Sequence, residues 1–242
     1  MRRLLVISAL CLAALLAAGA VLDRLFPPDL SRFQDRSTLV LDADGKVLRA
    51  FTSRDDRWRL LASPQDVDPL FLKLLVAYED RRFKCHPGVD PISVVRAVGQ
   101  YLAHGEIVSG ASTLTMQTAR LLEPHSRDLG GKLFEMARAL QLELRYSKAE
   151  ILTLYLTLAP YGGNLEGVRA ASLAYLGKEP RSLTPAEAAL LVPLRWRRAR
   201  IARTVVAIPV AVALYYHDTW WPPLQRLLAQ PGVLDFSASY WW

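Results

Sequence analysis

The sequence predicts a mainly α-helical domain behind an N-terminal membrane-spanning helix, with one small β-hairpin between the two. Three observations predict this. Residues 4–22 carry no charge. From residue 68 onward, helix start signals recur, each followed by apolar residues at helical spacing. No stretch alternates strand and helix patterns as a parallel α/β sheet requires.

Arg2 and Arg3 precede the uncharged run, whose 19 residues are enough to span the hydrocarbon core. Basic residues on that side favour a cytoplasmic amino terminus. A cleaved signal peptide is the rival, with Ala18-Gly19-Ala20 as its small-residue site. Its apolar core usually has only about 7–15 residues. An uncleaved anchor is therefore the expectation, and both readings export everything after Asp23. Phe26-Pro27-Pro28 opens a linker. Short apolar runs on either side of Asp44-Gly45 read as a β-hairpin over residues 37–51, with the role of a membrane-proximal spacer.

Asp68 can cap a helix that has Pro69 at its first position. Leu70, Phe71, Leu74, Leu75 and Tyr78 then share one face. Asp90 and Pro91 repeat the signal, for a helix to about His104. Ser112 or Thr113 can cap residues 114–122. Gly130-Gly131 precede a helix reaching about Tyr146. Ser147 and Glu150 form a capping box for the next helix, which Pro160 and Gly162-Gly163 end. Thr184, Pro185 and Glu187 start another. The expected division is an anchor at 1–25, linker and hairpin at 26–65, the main domain at 66–194, and an atypical tail at 195–242.

The chain has 242 residues, 52% of them hydrophobic, and a mean hydropathy of +0.14. Both values are high for a soluble protein and agree with a membrane segment. The net charge of +7 suits nucleic acid, anionic lipid or a phosphorylated substrate. No zinc-type Cys/His spacing and no aromatic-rich RNA-binding motif appears, which sets nucleic acid aside. Cys11 lies in the apolar run and Cys85 in the main domain, so a disulfide between them is not expected. Leu10 stands before Cys11 where a lipoprotein signal needs a small residue.

The candidate chemistry begins at residues 77–90, AYEDRRFKCHPGVD. Glu79 and Asp80 sit where an apolar helix runs out, a place where an acid or base can be tuned. On these residues alone, a solvated helix end paired to Arg81, Arg82 or Lys84 is an equal reading. Three later stretches tip the balance. They are a Ser/Thr-rich loop at 109–117, Lys132 with Glu135, and the helix opening at Ser147-Lys148.

In this order, the four stretches resemble the glycosyltransferase (transglycosylase) domain of class A penicillin-binding proteins and monofunctional peptidoglycan glycosyltransferases, with wording nearest the 1C branch. The first motif of that family, Glu-Asp-x-x-Phe-x-x-His-x-Gly-x-Asp, is matched by Glu79, Asp80, Phe83, His86, Gly88 and Asp90. The second, Gly-x-Ser-Thr-x-Thr-x-Gln, is matched by Gly110, Ser112, Thr113, Thr115 and Gln117. Arg120, Arg127 and Lys132 match basic positions, and Glu135 the second family Glu. The fourth motif is matched by Lys148, Ile151, Leu152, Tyr155 and Leu156, then by Pro160, Gly162, Gly167 and Val168. The likeness covers about residues 38–194.

The resemblance implies a lysozyme-like, two-lobed fold with a groove near the membrane, and polymerisation of lipid II into β-1,4 glycan strands with inversion. It makes Glu79 the catalytic base, for which a helix-end position could raise the pKa. Glu135 is a second catalytic carboxylate that holds a divalent ion, Mg or Mn, or orients the basic groups. On residues alone, the preferred reading of Glu135 is an exposed helix partner of Arg138 at i+3, and the resemblance reverses that preference. Asp80, Phe83, Ser112, Thr113, Gln117, Arg120, Arg127 and Lys132 are implied substrate contacts, with the three basic residues as a diphosphate cluster. His86 is read as structural, Lys148 as a capping or pairing residue, and His104 and His125 as surface residues. The implied partners are lipid II, the growing glycan, the membrane and other cell-wall synthesis proteins, with no nucleic acid. The implied location is the bacterial cytoplasmic membrane, single-pass, with the domain outside.

Three departures from the family stand out: Gly131 where Arg is common, Thr157 for Asn, and Met116 for Gln. From Arg195 the character changes. The last 48 residues hold six Arg, no Lys and five of the six Trp. A frameshifted or truncated gene is the expected source of this tail, and an interfacial membrane segment is the alternative. Loss of the usual continuation would leave the core open after Leu194. Two rival readings of the whole chain are an inactive remnant or membrane-bound glycan-binding module, and a lysozyme-like glycan-cleaving enzyme. The basic cluster argues against cleavage, because a hydrolase has no diphosphate to hold.

Overall fold

A computed structural model describes residues 19, 21, 23–44, 47–104 and 112–194. Most of the 4–22 run, residues 105–111 (with Gly110 of the second motif) and the 195–242 tail lie outside the described residues. The expected anchor and the expected character of the tail therefore fall outside them too. No described helix is long and apolar enough to cross a membrane.

The described chain is mainly helical with two small sheets. A short helix α1 (Ser31–Gln34) leads into an antiparallel hairpin, β1 (Thr38–Leu41) and β2 (Val47–Phe51), as the Asp44-Gly45 signal predicts. Strand β3 (Trp58–Arg59) follows, and then helices α2 (Pro69–Glu79), α3 (Pro91–His104), α4 (Leu114–Leu122), α5 (Leu129–Arg145) and α6 (Lys148–Leu158). Strands β4 (Pro160–Gly162) and β5 (Leu165–Glu166), α7 (Val168–Leu176) and α8 (Pro185–Leu194) complete it. The three-stranded sheet β3-β5-β4 pairs β3 parallel to β5 across more than a hundred residues, so no local pattern in the sequence announces it.

Most of the helices begin where a short polar side chain can satisfy the first free backbone amides. Asp68 accepts from the Leu70 amide at 2.8 Å, with Pro69 at the first position. Thr113, rather than Ser112, caps α4 through the Met116 amide. Ser147 and Glu150 form the expected capping box. One start differs: Asp128 caps α5 through the Gly131 amide at 2.6 Å, which puts both glycines inside the first turn.

The main core gathers Phe71 and Leu75 of α2, Leu114 of α4, Ile151 and Tyr155 of α6, Val168 of α7 and Leu191 of α8. A second cluster joins Ala119, Leu122, Leu142, Leu154 and Leu158 between α4, α5 and α6. Helix α8 packs against α2, with Ala188, Leu191 and Val192 buried. Over the described residues α8 thus contributes to the core that supports Glu79, and the opening expected after Leu194 falls outside them.

A polar cluster locks the linker to this body. Arg59 is fully buried and donates to Glu166 at 2.8 Å, to Asp55 at 2.7 Å, and to the Arg32 and Asp35 carbonyls at 2.8 and 2.6 Å. Arg32 meets the other oxygen of Glu166 at 2.6 Å. Every guanidinium edge is used, which is the condition for burying such a charge.

Candidate active site

Helix α2 stops at Glu79 because Asp80 turns inward. The Asp80 carboxylate accepts from the Leu114 amide at 3.0 Å, and it meets His86 Nε2 at 3.0 and 3.1 Å. One buried carboxylate thus ties the end of α2, the loop after it and the start of α4 into a single unit. Arg82 pairs with Asp90, which caps α3 through the Ile92 amide at 3.1 Å. Burial disfavours charge on Asp90, but Ser93 and Arg82 outweigh it and hold its carboxyl below the usual range. Gly88 has φ +87°, and a side chain there would press into the Ala139 carbonyl of α5 at 2.6 Å. The motif glycine is where the loop crosses α5.

The loop leaves Glu79 at the wall of the molecule, half-buried, with Oε2 accepting from Gln117 Nε2 at 3.0 Å. Tyr161 lies behind it. Burial first, and the Glu79 charge second, push the Tyr161 phenol above its ordinary value. Two open cavities meet at Tyr78, Glu79 and Ser112. One, of about 480 Å³, is walled by Arg120, Arg127, Lys132 and Glu135. The other, of about 530 Å³, is walled by Arg81, Arg82, Arg96 and Asp90.

Glu135 is the hub of the first cavity. It is only 3% exposed, and its partners are not the Arg138 that spacing alone offered. Arg120 reaches Oε1 at 3.0 Å and Lys132 reaches Oε2 at 2.7 Å. Arg138 pairs instead with Glu123 at 3.1 Å. Lys132 also touches the Ser112 hydroxyl, which links α5 to the start of α4. A buried carboxylate with two partly exposed cations in front of it makes a preorganised anion site: the cations are held in place before any ligand arrives.

The structure brings Glu79, Ser112, Gln117, Arg120, Arg127, Lys132 and Glu135 to one groove. It separates others from it. Phe83 is a correction: at 1% exposure it belongs to the core, with Lys148 Nζ 4.4 Å from its ring centre, and it does not line the groove. Thr113 is 3% exposed, and its hydroxyl is occupied by the Gly88 carbonyl and the Met116 amide. Asp80 likewise spends its carboxylate on His86 and Leu114. Both line the second cavity, with their side-chain oxygens already engaged by the protein. Lys148 pairs, as expected, with Glu143 and the His86 carbonyl, both at 2.7 Å. Thr157 is buried and accepts from the Ala62 amide at 3.2 Å, so this departure from the family still holds neighbouring backbone.

Two contributors escaped the sequence reading. Tyr161 sits in a fourth-motif turn with nothing local to mark it. His125 is a correction: it is not a surface residue but lies beside Glu135, with Nε2 3.5 Å from Oε1.

Comparison with known proteins covers the same region. The Transglycosylase family model matches residues 44–204. A second model, the cellulose biosynthesis protein BcsG N-terminal domain, matches residues 182–242, so the tail carries a resemblance of its own. Penicillin-binding protein 1C of Escherichia coli K12 is 48% identical over 78% of this chain and 26% of its own length. Penicillin-binding protein 1A of Pseudomonas aeruginosa is 37% identical over 64% of this chain and 19% of its own. Penicillin-binding protein 2D of Bacillus subtilis is 38% identical over 64% and 22%. The chain therefore spans about a quarter or less of these relatives. The matched residues include the whole groove, and on that match the chain belongs to the transglycosylase family, the domain carried by class A penicillin-binding proteins.

Proposed function

We propose that this chain is a membrane-anchored peptidoglycan glycosyltransferase that polymerises lipid II into β-1,4 glycan strands and releases undecaprenyl diphosphate. The observation that carries this reading is Glu79 standing between two cation-walled cavities. A transferase joining two diphosphate-linked sugars needs one base at their meeting point and a cationic seat on either side. A hydrolase needs only one seat and a water. The lysozyme-like, two-lobed form of the family is in keeping with such a groove. The apolar run at 4–22 would anchor the chain with this groove outside the cytoplasmic membrane, where the lipid tails of both substrates stay in the bilayer.

In this reading the growing strand lies in the Arg120–Lys132 cavity as the donor, and lipid II lies in the Arg81–Arg96 cavity as the acceptor. Glu79 takes the proton from the acceptor 4-hydroxyl as its oxygen attacks the anomeric carbon of the donor. The bond from that carbon to the phosphate oxygen breaks on the opposite face, so the centre inverts. The leaving diphosphate takes the electron pair, and Arg120, Arg127 and Lys132 stabilise the charge. Gln117 holds Glu79 in line. Glu135 keeps two of the cations aimed at the groove. Other cell-wall synthesis proteins are the proposed partners.

Both Glu135 oxygens already accept from Arg120 and Lys132. Among the described residues, no three His, Cys, Asp or Glu gather into a metal site. Glu135 therefore does not fit the role of metal ligand. A divalent ion, Mg or Mn, would enter on the oxygens of the diphosphate, and no step above depends on one.

Labelled lipid II given to the detergent-purified full chain tests this. Wild type should yield glycan polymer. The isosteric Glu79→Gln variant should lose polymerisation by a factor of at least about 100, the usual worth of a general base. Equal polymer from both would remove Glu79 from the mechanism. Cleavage of preformed glycan without polymerisation would favour the lysozyme-like alternative.

A further inference from the structure

Gly131 stands where a basic residue is common in the family, so one cation of the anion site is missing. The structure shows why no side chain can stand there. A Cβ on Gly131 would lie 2.1 Å from the Ser126 carbonyl and 2.8 Å from His125 Cδ2. Neither approach is tolerable, and the first involves backbone. The turn that carries His125, Ser126 and Arg127 folds directly onto the bare first turn of α5.

The His125 ring fills the space. Its Nδ1 lies 2.7 Å from the Glu123 carbonyl, which can only accept, so Nδ1 carries a hydrogen there. The ring meets Phe134 edge-on, with centroids 5.2 Å apart. Its buried Nε2 has no hydrogen-bond partner among the described residues and faces Glu135 Oε1 at 3.5 Å. That is the oxygen Arg120 also holds. The next residues of the same turn, Ser126 and Arg127, form part of the groove wall.

We infer that His125 and Gly131 form one positioning unit for the anion site. The glycine admits the ring, and the ring seats both the Glu135 carboxylate and the Arg127 turn. This arrangement stands in place of a basic side chain at 131. Arg120 and Lys132 must turn partly from Glu135 toward an arriving diphosphate, and with Nδ1–H held by the Glu123 carbonyl it is the imidazolium form of His125 that would then present an Nε2–H to the buried carboxylate. The inference rests on the functional reading above, so its test has an arm that does not need turnover.

Full-length protein in detergent would be titrated with undecaprenyl diphosphate by calorimetry, and lipid II polymerisation would be followed in parallel. Residues that orient the ligands of a metal cost about 10–100-fold when removed, and the low end of that range sets the scale for a residue orienting an anion site. His125→Ala should therefore weaken lipid diphosphate binding about tenfold and raise KM for lipid II by a similar factor, with kcat changed less. His125→Gln, which keeps a polar group near Glu135, should recover most of the loss. His125→Phe, which keeps only the volume, should not. Gly131→Ala should match His125→Ala, and the double variant should be no worse than either single, because the two substitutions break one contact. Thermal unfolding of each variant in the same detergent separates lost positioning from lost folding. Additive losses, or full rescue by Phe, would overturn the inference. Wild type that binds while His125→Ala binds equally well would sink the inference and leave the functional reading standing. Wild type that binds no lipid diphosphate would sink both.

Discussion

Three acidic residues near the groove look alike in the sequence, and their surroundings give them different work. Glu79 keeps its carboxylate at the groove, steadied by Gln117. Asp80, one residue on, buries its own and holds backbone. Glu135 is buried too, but it faces cations that look outward. A buried acceptor is costly to remove when the donors it satisfies stay behind. Asp80→Ala leaves the Leu114 amide and the His86 ring without their acceptor. It should destabilise the domain by about 1–3 kcal/mol in denaturant unfolding. It should also lower activity through misplacement of Glu79 rather than loss of a substrate contact. An unchanged unfolding midpoint would mean that the Asp80–Leu114 bond is dispensable. The choice between Asp80 as ligand and as brace was not legible in the sequence, because a motif records which residue is needed and not which way it points.

Most helix starts, by contrast, could be read directly, since a cap is a local bargain between a side chain and amides two or three residues away. The start of α8 shows this and gives a pH test. Glu187 accepts from the Thr184 amide and hydroxyl, both at 2.7 Å, and pairs with Lys178 at 2.6 Å. The Lys178 contact, followed by the Thr184 bonds, draws its carboxyl down from 4.5 to about 2. A carboxyl with a depressed folded-state pKa stabilises fully above its unfolded value and loses that contribution as the pH falls through the folded one. Wild type should therefore lose stability between about pH 4.5 and 2 through this group. Melting temperatures taken down that range should show the gap between wild type and Glu187→Gln narrowing. A constant gap would mean that the carboxylate form is not what stabilises α8. Where the pairing is not local, reading from sequence failed: β3 and β5 lie far apart in the chain, and α7 follows a glycine with no side-chain cap.

At the scale of the whole molecule, the Arg59 cluster decides whether linker, hairpin and domain behave as one body. Replacing Arg59 by Leu strands Glu166 with Arg32 as its main partner and frees the Asp35 and Arg32 carbonyls. A loss of about 3 kcal/mol is expected in urea unfolding of the detergent-solubilised chain, the lower end of what breaking a buried pair costs. It should come with protease cutting between the hairpin and α2. A shift below about 1 kcal/mol would reduce the cluster to an ordinary surface pair. The sequence by itself determined the helical class, the hairpin, the capped helix starts and the four motifs that mark the family. Each of these is a matter of neighbours in the chain or of residue types at fixed spacing. Only the tertiary structure decided that Glu79 stands between two cation-walled cavities, that Glu135 pairs with Arg120 and Lys132 and not with Arg138, and that Phe83 faces the core. It alone set His125 against Gly131. Those outcomes depend on which helices pack together, and a side chain acquires its partner only when a distant backbone arrives beside it.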